Sequence, residues 1–258
     1  MGTFIRNKEI TICMPYFERY APMMKTFDTF KAMGYFHESY PLKVKMIICD
    51  DGSINEPVRK FIPAPEKHFP PFRLIELPPK KEWRTPCVPM NRIVKEVDTE
   101  LMLFQSPETW HVMPVIFHMA SQVQHYKDTV LASCRKGEDS KEWKARPNKR
   151  LSFIWWCQVI TKQFFDEIGG FNESYRNCDG GEDNEFAFRL ALAKANWKWA
   201  PSECYVINDY NSNKPEITKD SGKKKLRSEY PSNKIGRIKR QQRMVLRRNL
   251  QCKNMKYP

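Results

Sequence analysis

Val44-Lys45-Met46-Ile47-Ile48-Cys49 runs without a break into Asp50-Asp51-Gly52-Ser53. Six residues with one charge and a β-branched, apolar bias predict a strand buried on both faces, as strands of parallel sheets are. The Asp-Asp-Gly-Ser that follows predicts a polar turn at the strand's carboxyl end. The same arrangement recurs on either side. Glu9 to Met14 predicts a strand stopped at Pro15, and Ala21 to Met33 a helix with Met24, Phe27 and Phe30 on one side. Phe72 to Leu77 predicts a third strand, Pro89 to Val97 a helix, and Glu100 to Phe104 a fourth strand.

Strands alternating with helices predict an α/β fold: an open, mostly parallel sheet flanked by helices. Ligands of such sheets bind beyond the carboxyl ends of the strands. The polar residues there are Tyr16-Phe17-Glu18-Arg19, Asp50-Asp51 and Gln105-Ser106-Pro107-Glu108. The topology is expected to bring them to one edge.

Further along, Gly169-Gly170-Phe171-Asn172-Glu173 is followed by Gly180-Gly181-Glu182-Asp183-Asn184-Glu185. Glycine pairs take backbone angles closed to other residues, or let the chain pass close to a ligand. Carboxylates on such a turn suit a general base or a ligand for a hard cation. They equally suit the first turn of a helix, where the dipole favours acids. A helix is expected from Phe186 to Lys194, with Trp197 and Trp199 alternating after it as in a short strand.

At 258 residues the chain is long enough for one large α/β domain with an appendage. No apolar run reaches bilayer-spanning length, and the N-terminus lacks a secretory core, so a cytoplasmic location is expected. Eight cysteines without a CxxC pair read as free thiols of a reducing compartment. The net charge of +14 is uneven: residues 221–258 carry 13 Lys and Arg against one acid, Glu229, which leaves only +2 for the first 220. Residues 135–150 are charged enough to predict an exposed loop. Residues 211–233 read as a linker, and 235–250 as a basic helix. The expected division is a domain over 1–215 and a basic extension over 216–258.

Taken together, Pro15 to Arg19, Ile48 to Ser53, Asn91, Ile168 to Glu173 and Gly180 to Asp183 resemble the family 2 glycosyltransferases of GT-A fold. The resemblance covers roughly residues 9 to 209. It implies a Rossmann-like sheet and transfer of a sugar from a nucleotide-sugar donor, UDP favoured, to an acceptor hydroxyl with inversion. It implies that Pro15, Phe17 and Glu18 line the nucleotide site, with Phe17 stacked on the base and Asp51 bonded to its edge. Arg84 and Asn91 would approach the nucleotide or its sugar. Asp183 would be the catalytic base, with Glu182 beside it and Gly181 on the acceptor side, and Trp156 would line the acceptor pocket.

Two positions depart from that family's pattern. Where it ends the fourth strand with Asp-x-Asp, this chain has Gln105-Ser106-Pro107-Glu108, so Gln105 offers the diphosphate a neutral carbonyl and Glu108 one carboxylate. Where the family often places a metal-binding His, this chain has Asn208-Asp209. Glu108 and Asp209 are therefore the expected ligands of Mn²⁺ or Mg²⁺, and metal-free transfer stays open. His111 is a minor candidate beside them. The basic extension calls for an anionic partner, a membrane surface or nucleic acid. A glycan or lipid-linked glycan is the expected acceptor, with hydroxylated bases in DNA as the alternative. A non-catalytic protein that binds nucleotide sugars or glycans is the third reading.

Overall fold

The computed structural model describes residues 9–61, 70–79, 85–123, 128–136, 143–145, 157–178, 180–200, 204–208 and 229, with only the backbone at 134–136 and 143–145. Arg84, Trp156, Asp209 and His125 lie outside the described residues, as does the basic extension apart from Glu229.

Seven strands form the main sheet: β1 (Glu9–Tyr16), β2 (Lys43–Asp50), β3 (Arg73–Glu76), β4 (Leu101–Gln105), β6 (Thr129–Ala132), β9 (Cys157–Thr161) and β10 (Asn196–Trp199). Their order is β10-β6-β9-β4-β1-β2-β3. All pairs are parallel except those of β9, which runs antiparallel to both β4 and β6. Helices cover both faces, which is why the strands read as unbroken apolar runs. Ile10, Ile12 and Met14 of β1 pack against Met23, Phe27 and Phe30 of α1 (Tyr20–Ala32) and Val115, Ile116 and Met119 of α4 (Val115–Val123). On the opposite face, Cys13, Cys49, Met102 and Phe104 meet Met90 and Ile93 of α3 (Cys87–Glu96). Phe164 and Phe165 of α5 (Lys162–Glu167) and Phe186 and Leu190 of α6 (Glu182–Leu192) complete that layer.

The sequence reading of β1, β2, β3 and β4 and of α1, α3 and α6 is matched within a few residues at each end. A second sheet was not foreseen. Its order is β5-β11-β7-β8, from β5 (Thr109–His111), β7 (Cys134–Lys136), β8 (Trp143–Ala145) and β11 (Tyr205–Asn208). Two of its strands correct the exposed loop expected over 135–150. Ladder bonds join backbone groups, so a charged run can pair once β11 offers a neighbour. Among the described residues Cys13, Cys49, Cys87, Cys157, Cys178 and Cys204 carry free thiols. No described helix is long and apolar enough to cross a membrane.

α6 leads into β10 through a short turn and therefore runs against the parallel strands. Its N-terminus sits at their carboxyl edge. α3, between β3 and β4, is oriented the same way. That edge collects the site.

Candidate active site

At the ends of β1 and β2 the ladder extends into the turns: Asp51 N–H donates to Tyr16 C=O at 2.8 Å, and Leu77 N–H to Asp50 C=O at 2.9 Å. Gly52, at φ +81°, lets the chain reverse. The two acids of the turn then divide. Asp50 is buried, and its oxygens accept from Ser53 N–H (2.9 Å) and Val58 N–H (2.8 Å). Its role is to hold the turn and start helix α2 (Val58–Phe61). Asp51, at the tip, is the acid placed beyond the strand ends.

Glu18 is engaged by its own chain. Its carboxylate accepts from Ile54 N–H (2.5 Å), Asn55 N–H (2.8 Å) and Glu56 N–H (2.7 Å), while its N–H donates to Ser53 Oγ at 3.0 Å. A non-glycine φ of +48° is held there by these four bonds. Glu18 thus shapes the loop over residues 53–56, flanked by half-buried Pro15 and Phe17. The structure brings Pro15, Phe17, Glu18 and Asp51 to one corner.

At the end of β4, Gln105 is turned into the protein and fully buried. Its Nε2 donates to Ser106 C=O (3.1 Å) and Thr109 C=O (2.8 Å). Its carbonyl faces His111 Nε2 at 3.1 Å, so that nitrogen carries the proton and Nδ1 accepts from Tyr35 Oη at 2.7 Å. Burial lowers the His111 pKa to about 3 and keeps the ring neutral. Gln105 and His111 therefore buttress the turn from beneath, and the turn itself presents Ser106 and half-buried Glu108.

Asn208 closes this turn onto β11. Its Nδ2 lies 2.8 Å from Thr109 Oγ1, 3.2 Å from Glu108 C=O and 3.3 Å from Ser106 Oγ, and Asn208 pairs in register with Thr109. The residue preceding Asp209 is thereby fixed beside Glu108. Among the described residues no three His, Cys, Asp or Glu side chains converge as a metal-ligand set.

The first glycine pair is a helix stop. Gly169 N–H donates to Asp166 C=O (2.9 Å) and Gly170 N–H to Phe165 C=O (3.0 Å), a Schellman closure of α5 with Gly169 at φ +79°. Asn91 then grips the next residue, accepting from Phe171 N–H at 2.8 Å and donating to Phe171 C=O at 2.9 Å. Its second N–H reaches Glu173 Oε1 at 3.0 Å. Asn91, expected at the nucleotide or its sugar, is placed as the joint between α3 and this turn.

The second pair starts α6. Gly180 and Gly181 stand at φ +122° and +97°, and Gly181 is the N-cap. Glu182, Asp183 and Glu185 fill the first turn, where the dipole favours acids. Glu185 is tied bidentately to Arg189 (2.7 and 2.8 Å), whose third bond reaches Ile168 C=O at 2.6 Å. That pair anchors the helix to the end of α5. Asp183 is different: burial raises its carboxyl to about 6, against the opposing pull of Asn184, whose N–H and Nδ2 donate to Oδ1 at 2.7 and 2.8 Å. A carboxylate near neutrality on a glycine turn is equipped to exchange a proton at physiological pH.

Tyr175, fully buried, was not singled out by sequence. Its Oη donates to Glu229 Oε2 at 2.6 Å, and its carbonyl accepts from Thr85 Oγ1 at 2.9 Å. The lone acid of residues 221–258 is thereby bound to the turn between the two glycine pairs.

No family model and no curated protein matches the chain. Solved structures do. A mannosyltransferase from Pyrobaculum calidifontis, PcManGT, solved with GDP-Man and Mn²⁺, superposes with a TM-score of 0.60 at 13% identity over 99% of this chain and 67% of its own. TarS of S. aureus gives 0.59 at 13% identity, over 78% of this chain and 36% of its own. GalNAc-T7, solved with UDP, GalNAc and Mn²⁺, gives 0.58 at 10% identity, over 80% of this chain and 44% of its own. The chain thus spans under half the length of the latter two. At these identities the likeness is one of architecture, and it agrees with the mostly parallel seven-stranded sheet flanked by helices: the chain has the GT-A fold.

Proposed function

We propose that this protein is a nucleotide-sugar-dependent glycosyltransferase. The observation that carries the reading is the delivery of Asp183, at the N-terminus of α6, to the same sheet edge as Asp51 and Glu108. In this reading Pro15, Phe17 and Asp51 hold the nucleotide, UDP favoured, on the loop that Glu18 shapes. Asp183 takes the proton of the acceptor hydroxyl as its oxygen bonds to the anomeric carbon. The bond from that carbon to the diphosphate oxygen breaks, and the diphosphate leaves with the electron pair, so the anomeric centre inverts. The oxygen donors of Glu108 and Asp209 suit Mn²⁺ or Mg²⁺, which when bound would neutralise the charge gathering on the diphosphate. Glu182 and Gly181 frame the acceptor side, and Trp156 would line its pocket.

The raised carboxyl of Asp183 favours an enzyme over a non-catalytic binding protein, which has no use for a base. The acceptor in this reading is a glycan or lipid-linked glycan. The Tyr175–Glu229 bond supports a second reading, in which the basic extension holds a polyanionic acceptor such as DNA near the site. In either case the reading keeps the protein in the cytoplasm, the compartment that its eight scattered cysteines suit.

The test is a thermal-shift panel of UDP, GDP, CDP, dTDP and their sugars, with and without Mn²⁺. The expected result is a shift with one nucleotide, larger with Mn²⁺. No shift with any of them overturns the reading.

A further inference from the structure

Register across four strands sets a buried row of side chains at this edge, with Phe104, Gln158 and Ala132 all 1% exposed or less. Phe104 of β4 lies opposite Gln158 of β9, Gln158 opposite Ala132 of β6, and Ala132 beside Trp199 of β10. The four residues form one row, on one face of the sheet. The face is fixed by the neighbours one pleat along: Met102, Ile160, Val130 and Trp197 belong to the core layer that contains Phe186 and Leu190 of α6. The row is also the last before the carboxyl edge, since Ala132 and Trp199 end β6 and β10. It therefore lies on the α6 side of the sheet at the end where the α6 N-terminus sits.

Two members of that row hold polar groups without a partner among the described residues. Gln158 is 1% exposed, yet neither its Nε2 nor its Oε1 has a hydrogen-bond partner among the described residues. Trp199 Nε1 is likewise buried without one. A buried polar atom without a partner costs about 1–3 kcal/mol, so three in one row are not a feature that stability alone would retain. Between them stands Ala132, the smallest side chain of the row and itself 1% exposed, so a ligand reaches the row by displacing what covers it. Gln158 and Trp199 are two strands apart, roughly 10 Å between backbones, and both side chains can lean over the gap. Above the edge the Gly180–Gly181 turn carries no side chains, and a Cβ on Gly180 would meet nothing within 4 Å.

Donors from two sides, one carbonyl acceptor and an indole face match a ring bearing several hydroxyls, each of which both donates and accepts. The row sits beyond β4 from the β1–β2 nucleotide corner and on the side of Asp183. We infer that Gln158 and Trp199 form an acceptor subsite that binds a sugar ring, which makes the acceptor a carbohydrate. This rests on the transferase reading for its catalytic meaning, but the binding itself can be measured alone.

Saturation-transfer NMR on the full chain, with methyl glycosides of hexoses and N-acetylhexosamines as probes, tests it in the presence of each nucleoside diphosphate. Gln158→Leu removes the amide at similar volume and should melt at or above the wild-type temperature; Trp199→Phe removes the indole N–H and some volume and should stay folded with a lower melting point. The expected result is that the wild-type chain binds at least one glycoside and that each variant weakens it five-fold or more, with nucleotide affinity unchanged. Equal glycoside binding by wild type and variants overturns the subsite, as does nucleotide binding by a wild-type chain that takes none of the glycosides. A wild-type chain that binds glycoside through these residues but no nucleotide supports the subsite and overturns the transferase reading.

Discussion

Asn91 and Phe171, eighty positions apart, are locked by a two-point amide clamp: Oδ1 accepts from the Phe171 N–H at 2.8 Å and Nδ2 donates to its C=O at 2.9 Å. The clamp sets the Phe171 ring against Phe186, with centroids 4.1 Å apart, and so fixes where α6 begins. Asn91→Ala strips two backbone groups of their partner, at about 1–3 kcal/mol each. Chemical denaturation should show a loss of that order, with nucleotide affinity of the folded protein kept. A variant of normal stability and weakened nucleotide binding would instead return Asn91 to the ligand.

Gly170 makes the same joint from the other side. A Cβ there would stand 3.0 Å from Asn91 Oδ1 and 3.1 Å from the Phe165 ring, at a φ of +62° that side chains rarely adopt. Gly170→Ala should cost about 1–3 kcal/mol. Gly169→Ala, with open space around its Cβ, meets only the left-handed backbone cost and should be milder. The order of the two melting points checks the argument.

Asp183 carries a pH signature with two readable signs. Burial raises its folded pKa from the ordinary 3.8 to about 6. As a base it works when ionised, so kcat/KM should rise with pH through about 6 and level above it. For stability the sign is opposite: the proton is held more tightly by the folded state, so the contribution is present below about 4 and lost as pH rises through about 6. Asp183→Asn should therefore abolish turnover, retain donor binding and melt higher than wild type at pH 7. A flat rate profile between pH 5 and 8, or full turnover by the Asn variant, would remove Asp183 as the base.

Gln105 and His111 give the test of which groups serve the β4 turn from within. Gln105→Ala leaves Ser106, Thr109 and His111 without their amide, so stability should fall by about 2–4 kcal/mol. In the proposed reading a Mn²⁺-dependent nucleotide shift should survive, because Glu108 and Asp209 would supply the charged oxygens. A stable variant that has lost only the metal effect would make Gln105 a ligand instead. His111 also sets the acid limb: with its pKa lowered to about 3, the neutral ring's contribution is present above about 6.5 and is lost as pH falls toward 3.

These tests divide along the line between what composition could and could not announce. β1, β2 and β4 were readable because helices bury both their faces, and double burial writes an unbroken apolar run. β7 and β8 were not, since a ladder of backbone bonds leaves no mark on a charged segment. The glycine pairs were legible as special backbone, while their division of labour was not: Gly169–Gly170 closes α5, and Gly180–Gly181 opens α6. Polar residues at strand ends were harder still. Glu18, Asp50 and Gln105 spend their oxygens on loop amides or a buried His, and a ligand contact would call for the same residue types. Gln158 was invisible because its meaning lies in having no partner among the described residues, which only packing reveals.

The bond from Tyr175 Oη to Glu229 Oε2 assigns a place to a charge that sequence could only count. Residues 221–258 carry +12, and their one acid is the group bound beside the turn that precedes Asp183. Glu229→Gln keeps the shape and weakens a charge-assisted bond, and Tyr175→Phe removes the donor, so each should cost about 1 kcal/mol or less in melting. The functional cost should appear elsewhere. If the extension holds a polyanion, duplex DNA or anionic vesicles should be bound by the full chain with a steep loss of affinity between 50 and 200 mM salt. Removing residues 221–258 should then abolish that binding and leave nucleotide shifts intact. Point variants at Tyr175 or Glu229 should keep polyanion binding but lower transfer to a polyanion-borne acceptor, because the charge is retained while its position is released. Equal transfer by wild type and point variants would mean that the contact is a surface bond without a role in presenting the acceptor.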